Sequence, residues 1–224
     1  MGGAAAKPSE PPATRWRLTT EGAEPGEDLV GVGADLEPGT ILAAYRRGIF
    51  PMGVGKHGGP PLGWWSPDPR GVLLPGDLHV SRSLQRSLRS FEITYDTAFA
   101  EVLAGCADPD RAGAWITPEV AAAYLHLHHL GWARSVEVRR DGELVGGLYG
   151  LQIGGLFAAE SKFHRVTDAS KAAVVGLVRR LEARDRPWLV DVQWCTPHLA
   201  TLGVREVPRP AYLDLLRAVL HDDA

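Results

Sequence analysis

The chain has 224 residues, of which 45% are hydrophobic and 23% charged, with a formal net charge of −3. That length suffices for one large domain, or a domain with a small appendage, and the composition is that of a globular protein with a real core. No apolar run reaches the ~20 residues a membrane-spanning helix needs, the start MGGAAAKPSEPPATR lacks the apolar stretch of a secretory signal, and two distant cysteines, Cys106 and Cys195, do not suggest a disulfide framework or a zinc cluster. A reduced, cytoplasmic setting is the expectation. At a pI of about 6.2, any nucleic-acid site must be a local basic patch.

Residues 1–27 are rich in Gly, Ala, Pro and Glu, show no hydrophobic period, and read as a largely disordered tail. Order is expected from about Leu29. Pro38-Gly39-Thr40 opens a helix that Gly48 ends. The Gly/Pro-dense stretch from Phe50 to Arg70 reads as irregular loop. We divide the chain at its end, into a small N-terminal domain over 28–67 and a main domain over 68–224. A short strand at Val72–Leu74 follows, then a helix from Ser81 to Leu88 capped by Ser81 and a strand at Phe91–Tyr95. Helices are predicted over Thr97–Cys106 and Thr117–Leu130, the second begun by Thr117-Pro118-Glu119 and stopped by Gly131. Strands Arg134–Arg140 and Glu143–Tyr149 flank Asp141-Gly142, a strong hairpin signal. Gln152–Ala159 extends the sheet, Thr167 or Asp168 opens a helix to about Arg184, Pro187–Val192 is a buried strand, and Pro210–Leu220 is a last helix. Hairpin-linked strands among helices point to an α+β fold with a mostly antiparallel sheet.

Several residues carry candidate chemistry. Asp191 and Gln193 lie two apart on a predicted strand, so both face one side while Val190 and Val192 face the other. An ionised Asp can hydrogen-bond a Gln amide and polarise its carbonyl, which then orients or receives the proton of an attacking amine. The alternative is a pair of ordinary strand-end polar residues. Glu160 follows the apolar run Gly155–Ala159 and is a candidate for holding an α-ammonium group, or else a surface carboxylate. Arg82, Arg86 and Arg89 recur at spacings of four and three, which lines one helix face, as backbone phosphates require or as a plain solvated face displays. Arg179, Arg180 and Arg184 form a second cluster. Trp64 and Trp65 could stack a terminal base, wall an apolar pocket, or simply pack. Trp115 and Leu148 are further apolar-pocket candidates. His126, His128 and His129 share a helix without a matching third ligand, so no metal site is expected. No phosphate-binding glycine loop of the P-loop or coenzyme A type is present.

The segments Ala43–Pro51, Trp64–Arg70, His79–Leu84, Leu144–Gly150, Ala169–Lys171, Asp191–Gln193 and His198–Gly203 together, in this order, resemble the bacterial leucyl/phenylalanyl-tRNA–protein transferases over roughly residues 29–220. The resemblance implies a small N-terminal domain and an acetyltransferase-like (GNAT) main domain. It implies transfer of Leu or Phe, less well Met, from charged tRNA to the N-terminal Lys or Arg of proteins, marking them for degradation. The reaction is an ester aminolysis that needs no metal and no cofactor. It makes Asp191 and Gln193 the catalytic pair, places Glu160 at the aminoacyl end, and assigns Arg82, Arg86 and Arg89 to the tRNA. Three segments depart from the family pattern. Ala159-Glu160-Ser161-Lys162-Phe163 stands for Gly-Glu-Ser-Met-Phe, Met52 stands where a Trp follows Gly-Ile-Phe-Pro, and Ala34 replaces a Gly. Lys162 and Met52 therefore join the substrate-pocket candidates, and Lys162 sets a charge beside an apolar site unless its ammonium reaches water. The competing readings are a coenzyme A-dependent N-acetyltransferase, a charged-tRNA-binding relative without turnover, and an aminoacyl-tRNA-dependent peptidoglycan transferase.

Overall fold

The computed structural model describes residues 7–111 and 113–220. Strand β1 (Leu29–Val32), helix α1 (Pro38–Tyr45), and strands β2 (Phe50–Gly53) and β3 (Leu62–Trp65) form a small antiparallel sheet in the order β1-β3-β2 with one helix. The next strand, β4 (Arg70–Leu73), already belongs to a second sheet. There follow α2 (Arg82–Ser87), β5 (Glu92–Tyr95), α3 (Phe99–Cys106), α4 (Pro118–His129), β6 (Ala133–Arg140), β7 (Glu143–Ile153), β8 (Leu156–His164), α5 (Ala169–Glu182), β9 (Leu189–Gln193), α6 (Pro197–Ala200), β10 (Arg205–Val207) and α7 (Arg209–Leu220). The second sheet runs β10-β4-β9-β8-β7-β6-β5 and is antiparallel at every pairing except β8 with β9. This is the α+β fold with a mostly antiparallel sheet that the order of strands and helices predicts.

Local chemistry explains most of these elements. Ser81, Thr117 and Thr196 each cap a helix by accepting a backbone N–H three residues on, from Leu84, Val120 and Leu199. Asp141 and Gly142 both take positive φ, 54° and 82°, so the β6–β7 hairpin turns where two left-handed residues allow it. The two sheet faces bury separate cores. Tyr124, Tyr149, Phe163 and Tyr212 pack with α3, α4 and α7 on one face, while Leu148, Val136, Val190 and the apolar stripe of α5 pack on the other.

Two features shape what lies between β8 and β9. Their parallel ladder ends at Ala158 opposite Asp191, so the residues beyond are no longer backbone-paired with each other. Just beyond that point the β7–β8 ladder slips: Tyr149 pairs Ser161 while Gly150 pairs Ala159, leaving Glu160 as the extra residue of a bulge. A Cβ at Gly150 would overlap the Ala158 carbonyl, so the close approach at the slip requires glycine.

Several expectations are corrected. Residues 1–6 lie outside the described residues, but residues 7–27 are not a loose tail. They form an extended strap pinned by side chains of the folded body. Ser9 donates its N–H to the Leu130 carbonyl at 2.8 Å and accepts from Trp132 Nε1 at 2.8 Å. Arg46 grips Glu10 with two bonds of 2.7 and 2.9 Å, Trp16 Nε1 donates to Asp35 at 2.6 Å, and Arg209 donates to the Glu27 carbonyl. Composition hid this because the strap is fixed by hydrogen bonds to distant residues, not by its own hydrophobic period. The stretch Phe50–Arg70 is not irregular; it carries β2, β3 and the start of β4, because Phe50, Trp64 and Trp65 alternate across a small sheet. The run Gln152–Ala159 is two strands, broken at Gly154-Gly155, where Gly154 has φ 56°.

The strap also fills space that only a glycine leaves open. A Cβ at Gly39 would overlap the carbonyl of Pro12. Gly39→Ala is therefore expected to lift residues 7–14 from the surface, read as faster amide hydrogen exchange over that segment than in the unmodified chain.

Candidate active site

The site is built around a charge that water does not reach. Asp191 on β9 is 0% exposed, as is Arg70 on the neighbouring β4. Arg70 Nε donates to Asp191 Oδ1 at 2.8 Å and its terminal nitrogen to Oδ2 at 2.7 Å, the bidentate fork that guanidinium and carboxylate planes favour. Tyr212 Oη, from α7, donates to Oδ2 at 2.8 Å, and the Gln193 backbone N–H donates to Oδ1 at 2.9 Å. Arg70 is sandwiched by the rings of Tyr212 and Phe50, 4.5 and 5.0 Å from its guanidinium carbon, and donates to the Gly48 carbonyl at 3.1 Å. Every acceptor direction of Asp191 is thus occupied.

That clamp sets Gln193. Its φ is +62°, a left-handed conformation unusual for a residue with a side chain, and the bond from its N–H to Asp191 holds it there. The Asp191 carboxylate thus meets the Gln193 backbone rather than the side-chain amide anticipated from sequence. The side chain instead crosses the split between the strands: Gln193 Nε2 donates to Glu160 Oε1 at 3.3 Å. Glu160 also accepts from Tyr124 Oη at 3.0 Å, and Tyr45 and Tyr124 join their hydroxyls at 2.6 Å. Burial pushes the Glu160 carboxyl up to about 8; the hydrogen bond from Tyr45 opposes this, the nearby Asp191 charge adds to it, and Tyr124 and Arg70 oppose it. Burial and the Glu160 charge likewise hold the Tyr45 and Tyr124 hydroxyls protonated, as donors.

The structure brings Asp191, Gln193 and Glu160 together and disperses the remaining candidates. Trp65 Nε1 donates to the Met52 carbonyl at 2.8 Å, and its ring lies edge-on to Trp194 at 6.1 Å. Trp194, directly after Gln193 and 36% exposed, also packs edge-on against Phe50 at 5.3 Å. Trp64 is no stacking platform: it is 1% exposed, packs with Ala44 and Ile49, and donates to the Gly33 carbonyl at 2.8 Å. The alternation of a strand decides this, since adjacent residues face opposite sides. Trp115 packs at the edge of the core on the α4 face. Leu148 is buried on the opposite face, beneath α5, and pairs across the ladder with Lys162. Burial, then the adjacent Arg111, lowers the Lys162 ammonium, and no carboxylate pairs with it among the described residues. Arg82, Arg86 and Arg89 are all exposed, Arg89 in the 3-10 turn after α2. His128 stacks on Phe99 and contacts the Ala133 carbonyl at 3.0 Å, and no group of three or more metal-binding side chains occurs among the described residues. No helix among them is long and apolar enough to cross a membrane.

Sequence reasoning missed Arg70, Tyr45, Tyr124, Tyr212 and Trp194. Arg70 and Tyr45 lie in segments that carry the resemblance and Trp194 directly follows Gln193, whereas Tyr124 on α4 and Tyr212 on α7 converge from distant segments with no such signal.

An α+β domain whose sheet parts between β8 and β9, with a buried carboxyl and an amide meeting across the gap, is a site built to bind and orient polar reacting groups. Comparison with known proteins narrows the chemistry. The family model for leucyl/phenylalanyl-tRNA protein transferase matches residues 72–217, and that for its N-terminal domain matches residues 34–68. The leucyl/phenylalanyl-tRNA–protein transferase of Stutzerimonas stutzeri is 51% identical over 195 residues, covering 84% of this chain and 83% of that one. The Azoarcus enzyme of the same name is 48% identical over 207 residues, covering 91% of this chain and 84% of its own. Among solved structures, a ribosomal-protein-alanine N-acetyltransferase from Brucella melitensis biovar Abortus overlaps 44% of this chain and 74% of its own, at 25% identity and a TM-score of 0.32. The chain belongs to the leucyl/phenylalanyl-tRNA protein transferase family and is an aminoacyltransferase.

Two outcomes are expected from the clamp and the carboxyl beside it. Arg70→Ala leaves the Asp191 charge buried without its partner and is expected to destabilise the fold by about 3–5 kcal/mol, measured by urea unfolding at neutral pH. Glu160 binds a proton up to about pH 8 in the folded chain but only up to 4.5 when unfolded, so the folded state holds the extra proton between those values and stability falls as pH rises through them. Glu160→Gln is expected to flatten that decline in denaturation midpoints taken across this range.

Proposed function

We propose that this aminoacyltransferase moves Leu or Phe, and less well Met, from charged tRNA to the N-terminal Lys or Arg of proteins in the cytoplasm, marking them for degradation. The observation that carries the reading is the contact between Gln193 and Glu160 across the split sheet, with Asp191 fixed behind it. In the reaction the acceptor's α-amine attacks the ester carbonyl of the aminoacyl-tRNA. A C–N bond forms, the C–O bond to the ribose breaks, and a proton passes from the amine to the departing ribose oxygen. Ester-to-amide exchange is downhill, so no nucleotide is consumed.

Each residue then has a distinct part. Gln193 gives its Nε2–H to Glu160, which turns its amide oxygen toward an incoming N–H; it orients the attacking amine and accepts from it. Glu160 holds the α-ammonium of the aminoacyl group. Burial raises its carboxyl to about 8, and a cationic ammonium placed beside it favours the ionised form that pairs with it. Asp191 is enclosed and fully bonded, so it acts as a positioning residue through the Gln193 backbone. The small N-terminal domain, 28–67, brings Trp65 and Met52 beside Trp194 to wall the substrates, and the main domain, 68–224, carries the chemistry. The exposed Arg82, Arg86 and Arg89 contact the tRNA phosphates. Lys162, two residues beyond Glu160 on β8, bounds the donor side chain, while Leu148, buried beneath α5, supports the strand behind it.

The test is transfer of radiolabelled Leu, Phe and Met from tRNA to a peptide with N-terminal Arg. Gln193→Ala is expected to slow transfer by about 10²–10⁴-fold with tRNA binding retained. Lys162→Met is expected to raise transfer of apolar donors relative to the parent. Binding of charged tRNA with no transfer by the parent chain would refute the proposal in favour of a tRNA-binding relative.

A further inference from the structure

Helix α5 carries positive charge at its far end, away from the split. There a cavity of about 930 Å³ lies between the last turns of α5, the start of β6 and the strap. Six cations line it, Lys7, Arg46, Arg134, Arg179, Arg180 and Arg184, against two carboxylates, Glu10 and Asp96. Both carboxylates are already engaged, Glu10 by Arg46 at 2.7 Å and Asp96 by Arg134 at 3.1 Å. Lys7, Arg179 and Arg180 make no ion pair among the described residues, and Arg180 is held in place over the Tyr95 ring at 4.5 Å. In a chain of net charge −3 such a concentration stands out. Cations at a helix C-terminus favour the helix dipole, which accounts for Arg179 and Arg180 on α5 and for Arg184 just past its end. It does not account for Lys7 and Arg134, which converge on the same cavity from the strap and from β6.

The opposite end of α5 meets α2, where Ser87 Oγ donates to Asp168 at 2.8 Å. Two cationic clusters, Arg82–Arg89 and the cavity, thus flank one helix, and its 14 residues set them about 20 Å apart. We propose that the cavity is a second docking site for the phosphate backbone of the donor tRNA, gripping its body while α2 steadies the acceptor end. This rests on the reading above that charged tRNA is the donor.

The test is binding of full-length tRNA to the whole chain across a salt series, alongside transfer from full-length charged tRNA and from an aminoacylated CCA trinucleotide too short to reach the cavity. Arg179→Ala with Arg180→Ala is expected to weaken tRNA binding about tenfold at moderate salt and to reduce the slope of log affinity against log salt by about two. Lys7→Ala, on a different segment, is expected to reduce the slope by about one. Removing the exposed charge of Arg17, outside the cavity, serves as the control and is expected to leave the slope unaltered. The loss should appear with full-length tRNA and not with the trinucleotide. Unchanged affinity and slope in the arginine variant would overturn the second site, as would an equal loss with both donors. Failure of the parent chain to bind tRNA would overturn this site together with the donor assignment, an outcome distinct from either of the others.

Discussion

The pairing of Arg70 with Asp191 is the constraint on which the rest of the molecule turns. Two opposite charges removed from water are costly unless their geometry is good and their remaining donors and acceptors are filled. Here they are filled by Tyr212 from α7, by Gly48 after α1 and by the Gln193 backbone. Each partner comes from a different part of the chain, so satisfying one carboxylate fixes β4, β9, the last helix and the entry to β2 together. The strained conformation of Gln193 follows from this clamp. The clamp therefore relates fold and chemistry directly: a left-handed residue at a strand end persists only where its surroundings over-determine it.

The sequence made the helices readable and the sheet only partly so. Helix starts are written locally, as Ser81 and Thr117 illustrate by capping where expected. The β6–β7 hairpin is equally local, set by Asp141-Gly142. Strand pairing is not local. The parting of β8 from β9 and the bulge at Glu160 depend on partners far along the chain, so the composition of β8 alone cannot reveal them. The same holds for the strap, whose Pro-rich composition reads as tail while its hydrogen bonds reach Leu130, Trp132 and Arg209.

The candidate site was legible to a similar degree. The i, i+2 spacing of Asp191 and Gln193 anticipated their shared side, and the apolar run before Glu160 anticipated its burial. Their mode of contact was not legible. The Asp191 carboxylate reaches a backbone amide, and the Gln193 side chain turns to Glu160. Trp64 and Trp65 were indistinguishable as neighbours in sequence, yet one fills the small core and the other faces Trp194.

The bulge at Glu160 has an implication for how such a chain changes over generations. An unpaired residue in a ladder is a local loss of backbone bonding, and removing one residue there would let β7 and β8 pair without a slip. Ala159 and Ser161 would then be consecutive opposite Gly150 and Tyr149, each on its present face, so the rest of the strand would be undisturbed. Selection for stability alone would favour the deletion, whereas selection for turnover would oppose it. The carboxyl at the split is thus kept by a residue the sheet itself does not need.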